Sequence, residues 1–194
     1  MNVWAVLPVK PAAEGKSRLA GTLPLPQRVR LNRKLFRHTL ATVCSVFAPE
    51  HVIIVSRDPA LLGIAAAAGT HALTEHGYEL NEALTQALRF ASPQDGLLAI
   101  STDLPTLGEE DLRAMLAAPG QAVLAPDRAG RGTNALLMRP AGCIPFSFGE
   151  DSLTRHRQAA EARGLEIGII SRPGLAFDLD LPEDLKRCPP GLLG

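Results

Sequence analysis

Short apolar runs rich in Val, Ile and Leu alternate along this chain with longer segments of helical period. That alternation constrains the fold more than any other feature. A run that is apolar throughout and too short for a helix reads as a strand buried on both faces, and such runs repeated between helices are βα units on a mostly parallel sheet. Strands are expected at 3–9, 51–56, 71–74, 96–101, 123–125, 135–138 and 165–170. Helices are expected at about 27–47, 59–68 (ended by Gly69), 80–90, 109–117 and 152–163, with a short one opening at Pro182. No internal repeat, low-complexity tract or linker divides the chain, so its 194 residues are expected to form a single domain over 1–194. The fold class is α/β, with helices on both faces of the sheet.

Composition narrows the function. Twenty Lys and Arg balance twenty Asp and Glu, which removes the basic footprint of a protein that neutralises many phosphates along a duplex, so nucleic acid is not an expected partner. A local pocket for one small anion remains compatible with that balance. No apolar run reaches the length of a membrane span, and the opening MNVWAVLPVK has no basic leader before its apolar stretch and reads as a strand. A cytoplasmic protein is expected. Cys44, Cys143 and Cys188 are widely spaced without a C-x-x-C pair and read as buried or incidental thiols. His38, His51, His71, His76 and His156 have no metal spacing and are expected at the core edge or surface. The polar face of the first long helix carries Arg28, Arg30, Arg33, Lys34 and Arg37 and reads as solvated.

In open α/β sheets ligands bind outside the carboxyl ends of the strands. The loop after the first strand contains Gly15, Lys16 and Ser17, the closing half of a P-loop, but the early glycine of that motif falls on Lys10, and no G-x-G-x-x-G follows the strand. What is left is Lys10, Lys16 and Arg18, either a polyphosphate grip or an exposed basic loop. Asp103 directly follows a buried strand and is suited to Mg²⁺ or to a turn cap. Asp178 and Asp180 alternate with Phe177, Leu179 and Leu181, so an extended backbone sends both carboxylates to one side. Joined with Asp103, they make a Mg²⁺ site opposite a basic triphosphate loop. In the loop 127–134, Arg128, Arg131 and Thr133 offer donors to an anion, a surface hairpin being the alternative. Ser152 reads as an N-cap at a helix start that also suits an anion.

Taken in order and spacing, LPVKPAAEGKSRL, STDLP, PDRAGRGTNALL, FGEDSLTRH and AFDLDLPEDL resemble the guanylyltransferases that make the phospholactyl or phosphoenolpyruvyl moiety of coenzyme F420, a resemblance running from the first strand to Leu185. It implies a Rossmann-like nucleotidyltransferase domain whose substrates are GTP and a phosphorylated three-carbon acid (2-phospho-L-lactate, phosphoenolpyruvate or 3-phospho-D-glycerate), with Mg²⁺ as cofactor. It further implies that Leu7, Pro8, Val9, Lys10, Lys16, Ser17 and Arg18 bind the nucleotide and that Lys16, Arg18 and Asp103 serve catalysis. By the same resemblance Asp103, Asp178 and Asp180 bind the metal, while Thr133, Gly149 and Ser152 hold the phospho-acid; Arg128 is added to that group from the anion-donor reading of its loop. The family commonly has Thr or Ser where this chain has Leu181, which is expected to weaken the cap of the final helix and affect the pose of Asp180. Two other readings are carried: nucleotidyl transfer to a sugar phosphate or molybdopterin, and a nucleotide-binding regulatory domain without activity. A homodimer is expected only by analogy with the fold.

Overall fold

The structure is a computed structural model that describes residues 2–77 and 79–193. In chain order the elements are β1 (Val3–Val9), α1 (Leu25–Cys44), β2 (Val52–Ser56), α2 (Pro59–Ala67), β3 (His71–Thr74), α3 (Leu80–Ala87), β4 (Gly96–Ile100), α4 (Glu109–Ala117), β5 (Ala122–Pro126), β6 (Thr133–Met138), α5 (Ser152–Glu161), β7 (Ile167–Ile169), α6 (Pro173–Ala176) and α7 (Pro190–Leu193). Leu19 of the 3-10 segment Ser17–Leu19 and Leu185 of the 3-10 segment Pro182–Arg187 pack into one apolar cluster. The sheet has seven strands in the order β3-β2-β1-β4-β6-β5-β7. All neighbours are parallel except β6, which runs antiparallel to both β4 and β5.

The period of two in each strand assigns its side chains to two cores. Ala5, Leu7, Val9, Val52 and Ile54 point to the face covered by α1, α2, α4 and α6, where Phe36, Leu40, Leu61, Leu112 and Leu175 complete one cluster. Val6, Ile53, Val55, Leu97 and Ala99 point to the other face, covered by α3 and α5 through Leu84, Ala87 and Ala160. Strands buried on both sides explain why β1, β2 and β4 read as unbroken apolar runs rather than alternating ones.

Three expectations need correction. Helix α1 stops at Cys44 rather than near 47, although Phe47 still reaches the core beneath it. Ser152 is the first helical residue of α5 and Asp151, with a left-handed φ of 49°, is the residue before it, so Ser152 is not the N-cap. His156 lies at neither the core edge nor the surface, because α5 turns it inward and its exposure is 0%.

A third, smaller cluster decides where the site forms. Leu19, Leu31, Leu35, Leu179 and Cys188 pack together, with Leu23 and Leu185 against them. They come from the loop after β1, from α1 and from the tail. Burying this cluster docks the basic loop beside the FDLD segment, residues 177–180, across most of the sequence.

Candidate active site

Strand β1 connects outward through β2 to β3 on one side, while β4 on its other side leads to β6, β5 and β7. Connections that diverge from adjacent parallel strands leave a crevice at their carboxyl ends. A cavity of about 390 Å³ lies there. Pro8, Val9 and Lys10 enter it from the end of β1, and Ser101, Thr102 and Asp103 from the end of β4. Lys16, Arg18 and Asp180, with Ser17 among them, form its polar and charged side, and Leu80, Leu84 and Phe148 its apolar side. Of the residues expected at the nucleotide, only Leu7 is elsewhere: its side chain is fully buried under α1, because the LPVK run is still strand at that point.

The basic loop is fastened before it reaches the cavity. Asn32 of α1 donates to Ala12 O at 2.7 Å, and Arg28 donates to Gly15 O at 3.4 Å. Arg28 is therefore not part of a solvated face. A Cβ on Gly15 would stand 2.7 Å from Asn32 Nδ2, so glycine is what allows the loop to lie this close to α1. The next residue, Lys16, takes a left-handed φ of 56° that turns its side chain inward.

Lys16 Nζ sits between two carboxylates, 2.8 Å from Asp103 Oδ2 and 3.1 Å from Asp180 Oδ1, with only 6% of its side chain exposed. Burial pulls the ammonium pKa down, but the charges and hydrogen bonds of Asp103 and Asp180 outweigh it and hold the group above its ordinary value. Arg18 Nη1 reaches Asp180 Oδ2 at 3.3 Å from a side chain that is 70% exposed. The two aspartate-bearing segments are tied by their backbones, Leu179 N donating to Asp103 O at 3.0 Å. Leu181 supplies no side-chain cap and is exposed, so the alternation inferred for 177–181 stops short of it. Asp184 compensates: its Oδ2 accepts from Asp180 N at 3.0 Å and Leu181 N at 2.7 Å, fixing the turn that presents Asp180.

The carboxylates are not all neutralised. Asp103 Oδ1 is buried without a hydrogen-bond partner. Burial, then the charges of Asp103 and Asp180, push the Asp178 carboxyl above the usual carboxylate range. A buried anionic atom lacking a partner beside a repelled neighbour is an environment that favours a cation. Among the described residues no three His, Cys, Asp or Glu converge as a metal cage, since Lys16 takes the shared position between Asp103 and Asp180. Mg²⁺ needs only one or two protein carboxylates beside water and phosphate oxygens. Asp103 and Asp178 fit that requirement, and Asp180 is already engaged by Lys16 and Arg18.

The residues expected at the phospho-acid divide into two groups. Thr133 and Ser152, both buried, lie with the loop before β6 and the start of α5, which are joined by Leu153 N donating to Arg131 O at 3.0 Å. Gly149 stands between them and the cavity residue Phe148, at a φ of +116° that favours glycine. Arg128 is outside this group: its guanidinium pairs with the buried Asp184 at 2.9 Å and lies 5.6 Å over the Phe177 ring, bracing the tail.

Three contributors escaped the sequence reading. Asn81 of α3 clamps Phe148 with both ends of its amide, donating to Phe148 O at 3.2 Å and accepting from Phe148 N at 2.8 Å. His156 touches both Thr133 and Ser147. Glu14 lines the cavity rim, where Arg57 holds it with two donors at 3.2 and 2.7 Å. No local spacing announces these, because the partners are 9 to 67 residues away and are brought together by packing.

Comparison with known proteins identifies the family. Residues 3–188 match the family described as "Guanylyl transferase CofC like". The chain is 42% identical to the phosphoenolpyruvate guanylyltransferase of Rubrobacter xylanophilus, over 96% of this chain and 93% of that protein. It is 32% identical to the 3-phospho-D-glycerate guanylyltransferase of Colwellia psychrerythraea, over 96% and 90%. Among solved structures, 4-diphosphocytidyl-2C-methyl-D-erythritol synthase from Anaerococcus prevotii superposes with a TM-score of 0.61 at 13% identity, covering 95% of this chain and 93% of that one. A CMP:2-keto-3-deoxy-manno-octonic acid synthetase in complex with CTP gives a TM-score of 0.62 at 13% identity, covering 96% of each chain. Those two likenesses concern the fold alone, whereas the family match spans nearly the whole chain, from the basic loop to the tail aspartates. The chain thus belongs to the CofC-like guanylyl transferase family and is a guanylyltransferase.

Proposed function

We propose that this guanylyltransferase moves GMP from GTP onto the phosphate of phosphoenolpyruvate or a closely related three-carbon acid, 2-phospho-L-lactate or 3-phospho-D-glycerate, in the cytoplasm, as a step of coenzyme F420 biosynthesis. One observation carries the reading: Lys16 is held between Asp103 and Asp180 at the mouth of the switch-point cavity, with Lys10 and Arg18 on the same loop. A polyanion entering there meets cations that are already oriented. Phosphoenolpyruvate leads among the acids because relatives at 42% and 40% identity carry that name.

The chemistry asks little of the protein in proton transfer. The acceptor phosphate is largely ionised near neutrality and its oxygen attacks the α-phosphorus of GTP; the bond from that phosphorus to the α–β bridging oxygen breaks, and pyrophosphate departs with the electron pair. No general base is required. The residues must instead hold two polyanions in line and offset their repulsion. Lys16 and Arg18 do this at the triphosphate, and Lys10 extends the positive edge toward the end of β1. Asp103 orients Lys16, and Asp180 steadies both Lys16 and Arg18. Mg²⁺, which Asp103 and Asp178 would hold, supplies charge neutralisation on the phosphates when bound. On this reading Thr133 and Ser152, which lie behind the Phe148 wall, donate to the acid.

Pyrophosphate release tests the reading. With GTP, Mg²⁺ and phosphoenolpyruvate present, release should require all three, and ATP or CTP should support it far less. Release that requires a sugar phosphate instead would redirect the acceptor assignment. Folded protein that is silent with every acid would refute it.

A further inference from the structure

His156 is the one histidine turned fully into the core, and the phosphoryl chemistry leaves it without a proton-transfer role. Both ring nitrogens are nonetheless engaged. Ser147 N donates to His156 Nε2 at 3.0 Å, so Nε2 is the bare, accepting nitrogen. Burial, with the Arg155 charge as a lesser cause, pushes its pKa down to about 4, and the ring is neutral. A neutral imidazole with a bare Nε2 carries its proton on Nδ1. Nδ1 lies 3.1 Å from Thr133 Oγ1 and donates to it. The Thr133 hydroxyl hydrogen is then left to point elsewhere. The same ring meets the edge of Phe148, with centroids 4.9 Å apart, and Phe148 lines the cavity.

We propose that His156 is a positioning residue for the phospho-acid: its Nδ1 proton fixes the Thr133 hydroxyl as a donor to an anionic ligand, and its ring sets the Phe148 wall of the cavity. A hydroxyl whose lone pair is occupied from behind presents its hydrogen forward, the orientation an incoming phosphate or carboxylate needs. The other tautomer would turn the Thr133 hydrogen back toward Nδ1 and present only lone pairs to an anion. Ser147 N prevents that tautomer. The inference rests on the acceptor assignment of Thr133 made above.

Two substitutions separate the ring's two duties. His156→Gln can keep an acceptor near Nε2 for Ser147 N and loses the donor to Thr133; His156→Asn can keep a donor near Nδ1 and loses the acceptor. In steady-state kinetics His156→Gln should raise the KM for the phospho-acid about tenfold, a single hydrogen bond's worth of positioning, with the KM for GTP within about twofold. His156→Asn should retain more of the acid affinity. The losses from His156→Gln and Thr133→Val should not add, because both remove one interaction. ¹⁵N shifts of the imidazole in the wild-type protein should report a neutral ring protonated on Nδ1. An Nε2-protonated ring, or a folded His156→Gln variant whose two KM values move together or not at all, would overturn the proposal. Calorimetric titration of phosphoenolpyruvate into protein loaded with a non-reactive GTP analogue separates the two readings. Wild-type turnover with unchanged acid affinity in His156→Gln defeats the positioning role alone, whereas wild-type protein that neither binds nor uses any acid defeats the acceptor assignment and the positioning role with it.

Discussion

The charged edge of the cavity and the neutral polar group packed behind its Phe148 wall are built in different ways. On the β1 side charge meets charge: Lys16, with Arg18 outside it, is bridged to Asp103 and Asp180. On the α5 side the polar groups are neutral and buried, Thr133 bonded to a His156 that is itself uncharged. A charged wall attracts a triphosphate and must be neutralised while it waits, which the aspartates accomplish. A neutral wall gives little attraction at long range but presents donors with fixed direction, which suits discrimination among small acids. Under the proposed function, catalytic power belongs to the first wall and acceptor choice to the second.

The largest break should come from the charged wall. Asp103→Asn removes the negative charge from the shorter of the two Lys16 contacts and, with it, the carboxylate that bears the orphaned oxygen. Turnover should fall by about 10²–10³-fold, the scale of one lost electrostatic group, while unfolding free energy moves by no more than about 1–2 kcal/mol. Pyrophosphate release and denaturant titration measure the two; near-normal turnover would remove Asp103 from the chemistry.

The neutral wall should show itself in pH. His156 has a folded pKa of about 4 against about 6.5 unfolded, so the unfolded chain binds the extra proton first as pH falls. Its contribution is present above pH 6.5 and is lost toward pH 4, by about 3 kcal/mol over that window. Denaturation midpoints across the range should slope this way in the wild-type protein, and the slope should shrink in His156→Asn. An equal slope in both would mean that His156 is not held neutral.

Arg18 sharpens the contrast within the charged wall. Its side chain is 70% exposed, so its pair with Asp180 should matter little to folding, within about 0.5 kcal/mol for Arg18→Ala. Turnover should nonetheless drop about tenfold through weaker triphosphate contact, and the loss should lessen the dependence of the KM for GTP on salt. The smallest effect is expected at Leu181. Asp184 already caps the turn from the other side. Leu181→Thr should add about 0.5 kcal/mol of stability through a new N-cap and leave turnover unchanged; a large change in turnover would show that the pose of Asp180 depends on this cap.

The same division explains what could be read from the sequence. Lys10, Lys16, Arg18 and Asp103 are legible as cavity residues because their segments follow the ends of β1 and β4, where the fold class alone predicts a ligand, and Asp180 is legible from the alternation of the tail. The strands themselves were legible because β1, β2 and β4 are buried on both faces. Leu7 was misassigned because a motif written as a continuous string crosses from the core into the cavity within three residues. The neutral wall was mostly hidden. Asn81 and Phe148 are 67 positions apart and His156 and Thr133 are 23 apart, so only packing brings them together. Arg128 looked like an anion ligand because an arginine in a glycine-rich loop carries no sign of the buried Asp184 that takes it.

The most direct test of the account is a ³¹P NMR spectrum of GTP, Mg²⁺ and phosphoenolpyruvate incubated with the enzyme. Transfer of GMP predicts free pyrophosphate together with a new pair of coupled diphosphate resonances, and loss of the phosphoenolpyruvate signal in equal amount. GTP that stays intact, or that is cleaved without consuming the acid, would contradict the assignment of the cavity as the place where the two phosphates are joined.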